Sequence, residues 1–153
     1  MKEFNMLVIS IGLLANCAFS QPMSSPDAIV GTWLVQDGSA KVKIEKSNGK
    51  FTGKLVWIKA PNDKNGKPLL DTKNPAPSLR SRPQLGLKLL ENFSYDGDKV
   101  WIDGTIYDPD SGKTYSCKIT MKNSETMEVR GYVGISLFGR TDTWKRSQDI
   151  TMN

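Results

Sequence analysis

"KVKIEKSNGKFTGKLVWI", residues 41–58, sets Val42 and Ile44 at alternate positions before Asn48-Gly49, and Phe51, Gly53 and Leu55 at alternate positions after it. A period of two belongs to a strand, whose successive side chains face opposite ways, whereas a helix repeats about every 3.6 residues. Asn48-Gly49 supplies the two residues that tolerate positive φ in a tight hairpin turn. The stretch therefore reads as two antiparallel strands, 41–46 and 51–58. The same pattern runs outward from it, with strands expected at 29–35 (IVGTWLV), 84–94 (QLGLKLLENFS), 99–107 (KVWIDGTIY), 114–122 (TYSCKITMK), 126–134 (TMEVRGYVG) and 140–146 (RTDTWKR). Tyr95-Asp96-Gly97-Asp98 and Asp108-Pro109-Asp110-Ser111-Gly112 carry the residues that turns demand. About eight strands with mostly short connections and no helical stripe point to an all-β domain. The expected form is an antiparallel up-and-down meander closing into a barrel, with an open sandwich as the alternative.

Residues 1–20 stand apart from that pattern. Lys2 is followed by an apolar run from Met6 to Leu14 and by the triplet Ala18-Phe19-Ser20, the order of a secretory signal peptide, and the run is too short to span a membrane. Cleavage is expected after Ser20, followed by a short linker at 21–28, a single β-barrel domain at 29–147 and a C-terminal tail at 148–153. A second reading takes Leu14-Ala15-Asn16-Cys17 as a lipoprotein signal with Cys17 lipidated, although Asn16 is a poor neighbour for that cysteine. The first reading implies a periplasmic or secreted protein and the second a lipoprotein, and neither has a transmembrane segment. The remaining chain of about 133 residues suffices for one domain with an ordinary core.

There is no histidine and there are two cysteines. Without imidazole there is no Ser-His-Asp triad, no Cys-His pair and none of the usual zinc ligand sets. Cys17 leaves with the signal or carries lipid, so Cys117 has no intramolecular disulfide partner. It shares a strand face with Tyr115, Ile119 and Met121, as a buried and inert thiol would. Asp108-x-Asp110-x-Gly112 begins like a calcium loop, but Ile119 stands where a bidentate glutamate belongs, so the motif reads as a turn. No metal, cofactor or catalytic residue is signalled, because carboxylate, Ser-Lys and Arg/Tyr chemistry all lack a recognisable spacing.

The chain carries a net charge of +5. Lys41, Lys43, Lys54, Lys118 and Lys122 alternate with apolar residues, as the solvated face of a sheet would. Being spread round the sheet rather than interleaved with aromatics on one face, they argue against a nucleic-acid partner. The arginines are placed differently. Arg80 and Arg82 lie in the longest connection, and Arg130, Arg140 and Arg146 lie near the C-terminus, where a rigid fork suits pairing or ligand contacts.

Gly31-x-Trp33 opens the first strand, and Trp144-Lys145-Arg146 ends the last. This pair resembles the lipocalins and their calycin relatives. The resemblance implies a closed barrel plugged at one end by Trp33, with Arg146, or failing that Arg140, stacked on the indole and bonded to nearby carbonyls. A second resemblance covers nearly the whole domain, from about Ile29 to Arg146. "NPAPSLRSRPQLGL", "YDPDSGKTYSCKI" and "VRGYVGISLFGRTDTWKR", with the opening "GTW", are similar to the bacterial domain-of-unknown-function family 2147. That family implies a small exported bacterial domain and brings no assigned activity. One departure is Ala76, where members often carry an acidic residue after Asn-Pro.

The connection at 59–83 exceeds the 12–15 or so residues beyond which structureless loops are uncommon and usually functional or disordered. Its first half, "KAPNDKNGKPLL", is polar and flexible in composition. Its second half lies within "DTKNPAPSLRSRPQLG" (71–86), which has three prolines and reads as a stiff arm. An extended Ser78–Arg82 would turn Arg80 and Arg82 to one side, roughly 7 Å apart, and Leu79 to the core. Two readings stay open: the arginines grip an anionic group, or they hold the loop to the barrel through Asp71, Asp108 or backbone carbonyls. Arg130 and Tyr132 share a strand face with Glu128, opposite Met127, Val129 and Val133, and either face could be the inner one. The candidate ligand contacts are Asn74, Arg80, Arg82, Arg130, Tyr132 and Arg140. The leading expectation is an exported binding protein for a small amphipathic or acidic ligand in or at the mouth of a barrel. The alternative is an envelope or secreted protein–protein interaction module with a solid barrel, and an enzyme of unknown reaction stands third.

Overall fold

Val42, Ile44, Phe51 and Leu55 are buried in the computed structural model, which describes residues 24–149. The expected signal peptide and Cys17 lie outside the described residues. The hairpin forms as β2 (Ala40–Ser47) and β3 (Lys50–Ile58), with Asn48 and Gly49 at φ 51° and 75°. Around it stand β1 (Gly31–Leu34), β4 (Lys88–Gly97), β5 (Val100–Asp108), β6 (Lys113–Asn123), β7 (Thr126–Tyr132) and β8 (Gly139–Ser147). Each pairs antiparallel with the next, and β1 returns to β8, so the meander closes into a barrel rather than an open sandwich.

Alternation decides what fills it. Trp33, Phe51, Phe93, Trp101, Ile119 and Met127 face inward and are essentially inaccessible, while Lys118 and Lys122 on β6 fall on the face opposite the inward residues Cys117, Ile119 and Met121. Burial pushes the Cys117 thiol up to about 12, so it carries no thiolate at neutral pH.

Two details shape the barrel ends. The stretch expected as a linker ends in a 3-10 turn, Pro26–Ile29, whose Ala28 and Ile29 are buried. Trp101 Nε1 donates to the Pro26 carbonyl at 3.0 Å and Tyr95 Oη to the Ser24 carbonyl at 2.8 Å, so this segment is tied to the barrel. At the other end β1 stops early: it has 4 residues against 9 in β8. The two strands pair only through Thr32–Ser147, Trp33–Arg146 and Leu34–Lys145. Beyond Leu34 a side chain takes over, with the Thr143 amide donating to Gln36 Oε1 at 2.7 Å. A notch opens there.

The connection between β3 and β4 departs from the extended arm expected for it. Pro77–Leu79 is a 3-10 turn, Arg80 is αR at φ −70°, ψ −18°, and Leu79 remains 39% exposed instead of resting on the core. Proline restricts the residue before it and starts a helical turn well, so Pro77 favours this geometry. The turn also gives the amides of Leu79, Arg80 and Arg82 partners at 3.0–3.2 Å in Ala76, Pro77 and Leu79.

Candidate functional site

The two ends of the barrel are built differently. At the closed end the Trp33 indole donates to the Ile29 carbonyl at 2.9 Å, and the Arg146 guanidinium lies 4.2 Å over its ring. Arg146 also donates to the carbonyls of Ala28 (2.7 Å), Val30 (3.0 Å) and Ser124 (2.7 Å), which ties β8, the 3-10 turn and the β6–β7 turn together. Gly31 makes room for this: its φ is +128°, and a Cβ there would stand 2.9 Å from Arg146 Nη1. This end is filled.

At the opposite end lies a cleft of about 590 Å³, in the size range of small-molecule sites. Its apolar wall comes from Val35, Leu89, Ile106, Tyr115, Val129 and Trp144, and it extends along the notch where β1 has stopped. Below it Cys117, Ile119 and Met127 are buried and leave no room. Trp144 is 3% exposed, yet its indole N–H has no hydrogen-bond partner among the described residues. Buried polar groups are nearly always paired, and leaving one unpaired costs about 1–3 kcal/mol. The lip of the cleft is the β7–β8 loop, where Val133, Ile135, Leu137 and Phe138 are 69%, 59%, 75% and 69% exposed, and Val133 and Phe138 continue into the cleft wall. A larger hollow of about 1090 Å³ lies outside the barrel against β2 and β3. Lysines 43, 46, 50, 54 and 88 line it.

Beside the cleft the long connection is clasped to β5. Asp71, fully buried, accepts from Tyr107 Oη on one oxygen and from Asn74 Nδ2 (2.8 Å) and Arg82 Nε (3.0 Å) on the other, with Arg82 Nη2 at 2.9 Å. Burial pushes its carboxyl up, but the hydrogen bonds from Tyr107, Asn74 and Arg82 outweigh this and hold it below its ordinary range. Burial, and then the hydrogen bond to Asp71, push the Tyr107 hydroxyl up. Arg80 Nε donates to the Asn74 carbonyl at 2.7 Å. On the β5–β6 hairpin Gly112, at φ +71°, lies so close to the Lys73 carbonyl that any Cβ would collide with it.

The six candidate ligand contacts thus fall into two groups. Asn74, Arg80 and Arg82 come together in the clasp, bonded to the protein itself. Arg130, Tyr132 and Arg140 lie at the lip. Met127 and Val129 take the inner face of β7, so Arg130 points outward, where it donates to the Ser136 carbonyl (2.7 Å), the Leu137 carbonyl (3.2 Å) and Thr141 Oγ1 (2.8 Å) and shapes the apolar loop. Tyr132 and Arg140 line the cleft, and Arg140 Nε donates to Asp142 Oδ1 at 2.9 Å. Asp37, Asp142 and Trp144 also line it and escaped the sequence reading. For two of them a signal existed: once Arg146 is placed inward, alternation along β8 puts Trp144, Asp142 and Arg140 on the same face. Among the described residues no group of His, Cys, Asp and Glu could hold a metal ion, and no helix is long and apolar enough to cross a membrane.

Among curated proteins no sequence matches this chain. Among solved structures, the fold is similar to that of protein HP1028 from Helicobacter pylori, described as belonging to the lipocalin family, with a TM-score of 0.69 and 25% identity over 78% of this chain and 83% of that one. Residues 31–146, from the Gly-x-Trp of β1 to the arginine stacked on it, match the model of a family described as uncharacterized protein conserved in bacteria, DUF2147, and the chain belongs to that family.

Proposed function

We propose that this protein is an exported binding protein that takes a small, largely apolar ligand into the open end of its barrel. The observation that carries this is the 590 Å³ cleft at the open end of the barrel, walled by Val35, Leu89, Ile106, Val129 and Trp144. A stability-driven fold would fill such a space with its own side chains; an apolar ligand fills it here. The lipocalin-like barrel supports the same reading at the level of fold, since small barrels can enclose a single ligand. Export rests on the signal-like character of residues 1–20.

Native mass spectrometry of the protein taken from its own compartment tests both parts. The expected result is a chain beginning at Gln21 with a bound small molecule, and loss of that molecule in Gly131→Leu. Gly131 lines the cleft, and a Cβ there would meet Ile106 at 3.3 Å and Tyr115 at 3.8 Å, so a leucine fills the space once the Ile106 side chain gives by a few tenths of an ångström. A wild-type protein that carries no ligand and takes up none from a panel of medium-chain amphiphiles would overturn the binding reading. The exposed apolar lip favours a second reading, a protein partner docked on residues 133–138. In that case crosslinks from Ile135 would capture a partner, and Gly131→Leu would leave the capture unchanged.

A further inference from the structure

The charges of this molecule are segregated in a way that its net charge conceals. The chain is +5 overall and rich in lysine, yet no lysine lines the cleft. The charged residues there are Asp37, Asp108, Asp110 and Asp142 against a single arginine, Arg140, whose guanidinium is already bonded to Asp142 at 2.9 Å. The Asp37 carboxylate accepts from the Ser39 amide at 2.9 Å, and its hydrogen bonds with Ser39 hold it below its ordinary range, so it stays ionised. Asp142 lies two residues before Trp144 on the same face of β8, and both line the cleft. These acids are too dispersed to chelate a metal ion. What they make is a negative field across the mouth of a low-dielectric hollow, the arrangement that concentrates one sign of ligand.

We infer that the cleft takes an amphipathic organic cation: an ammonium-type head at the aspartate rim beside Asp142, and an apolar body along Ile106 and Val129. This rests on the binding reading above and specifies its ligand. It also reverses the expectation that arginines hold an acidic head, since Arg80, Arg82 and Arg130 are occupied by the protein and Arg140 is paired. A carboxylate head would face Asp37, Asp108 and Asp110 beside the Arg140–Asp142 pair.

Calorimetric titration of the mature protein with octylammonium, octanoate and octanol, matched in chain length, tests the charge. Octylammonium is expected to bind at least about tenfold more tightly than octanoate, and the ratio to shrink at least about threefold in Asp142→Asn and in Asp37→Asn. Octanoate or octanol binding as tightly as octylammonium would overturn the cationic assignment and leave the binding reading standing. Failure of all the probes, together with an empty protein in native mass spectrometry, would remove both.

Discussion

Trp33 and Trp144 sit on the paired strands β1 and β8, both facing inward and both almost inaccessible, yet one is finished and the other is not. The Trp33 N–H has the Ile29 carbonyl, and its ring has Arg146; the Trp144 N–H has no partner, and its neighbours include empty space. The difference traces to chain connectivity. The 3-10 turn before β1 folds over one end, while β1 itself stops at Leu34 and leaves the other end open along β8. Stability is concentrated where the barrel closes, and unused bonding capacity where it does not.

The largest expected effect lies at the closed end. Arg146→Ala removes three bonds to carbonyls and the stacking on Trp33, and should cost about 3 kcal/mol and lower Tm by about 10 °C in thermal unfolding. Arg146→Lys should recover less than half, because an ammonium cannot reproduce the fork. Near-wild-type stability in Arg146→Ala would mean that the ends are not energetically distinct.

An intermediate effect is expected beside the cleft. Asp71→Asn should cost about 2 kcal/mol, since it leaves Arg82 without its partner, though that arginine is partly exposed and compensated by water. Because the fold holds the Asp71 carboxyl below its ordinary value of 3.8, the unfolded chain binds its proton first as pH falls. Its contribution is therefore complete above that value and is lost as pH drops through the lower value it has in the fold. Urea midpoints at pH 5.5 and 3 should converge more in Asp71→Asn than in the wild type, and an unchanged gap would dismiss the clasp as a stabiliser.

The smallest effect compares the two indoles directly. Trp33→Phe loses a satisfied bond inside a packed end and should cost at least about 1 kcal/mol more than Trp144→Phe, which removes an unsatisfied donor beside existing space. Equal costs from urea unfolding would erase the distinction from which the site is argued.

Much of this was legible along the chain. All eight strands fall within a few residues of their expected places, because period-two alternation and turn residues such as Asn48-Gly49 are local signals. Gly31, Trp33 and Arg146 were also readable, since a glycine beside a tryptophan at one end of the domain and an arginine at the other is a pattern in sequence. The long connection was misread as extended, because proline's local preference was weighed without the amide partners that a 3-10 turn provides. Asp37 could not have been found: nothing in a short polar turn announces that it will line a cleft shared with β8.

Sequence alone therefore determined the strand order, the absence of imidazole chemistry and the buried state of Cys117, all of which follow from residue type and alternation. Tertiary structure decided which charges meet. It turned Arg80 and Arg82 toward Asn74 and Asp71, sent Arg130 outward, and gathered aspartates from two connections and two strands around a hollow in a basic protein. The reason is physical: alternation says which face a side chain takes, but only closure of the barrel and the early end of β1 set which faces look at one another across space.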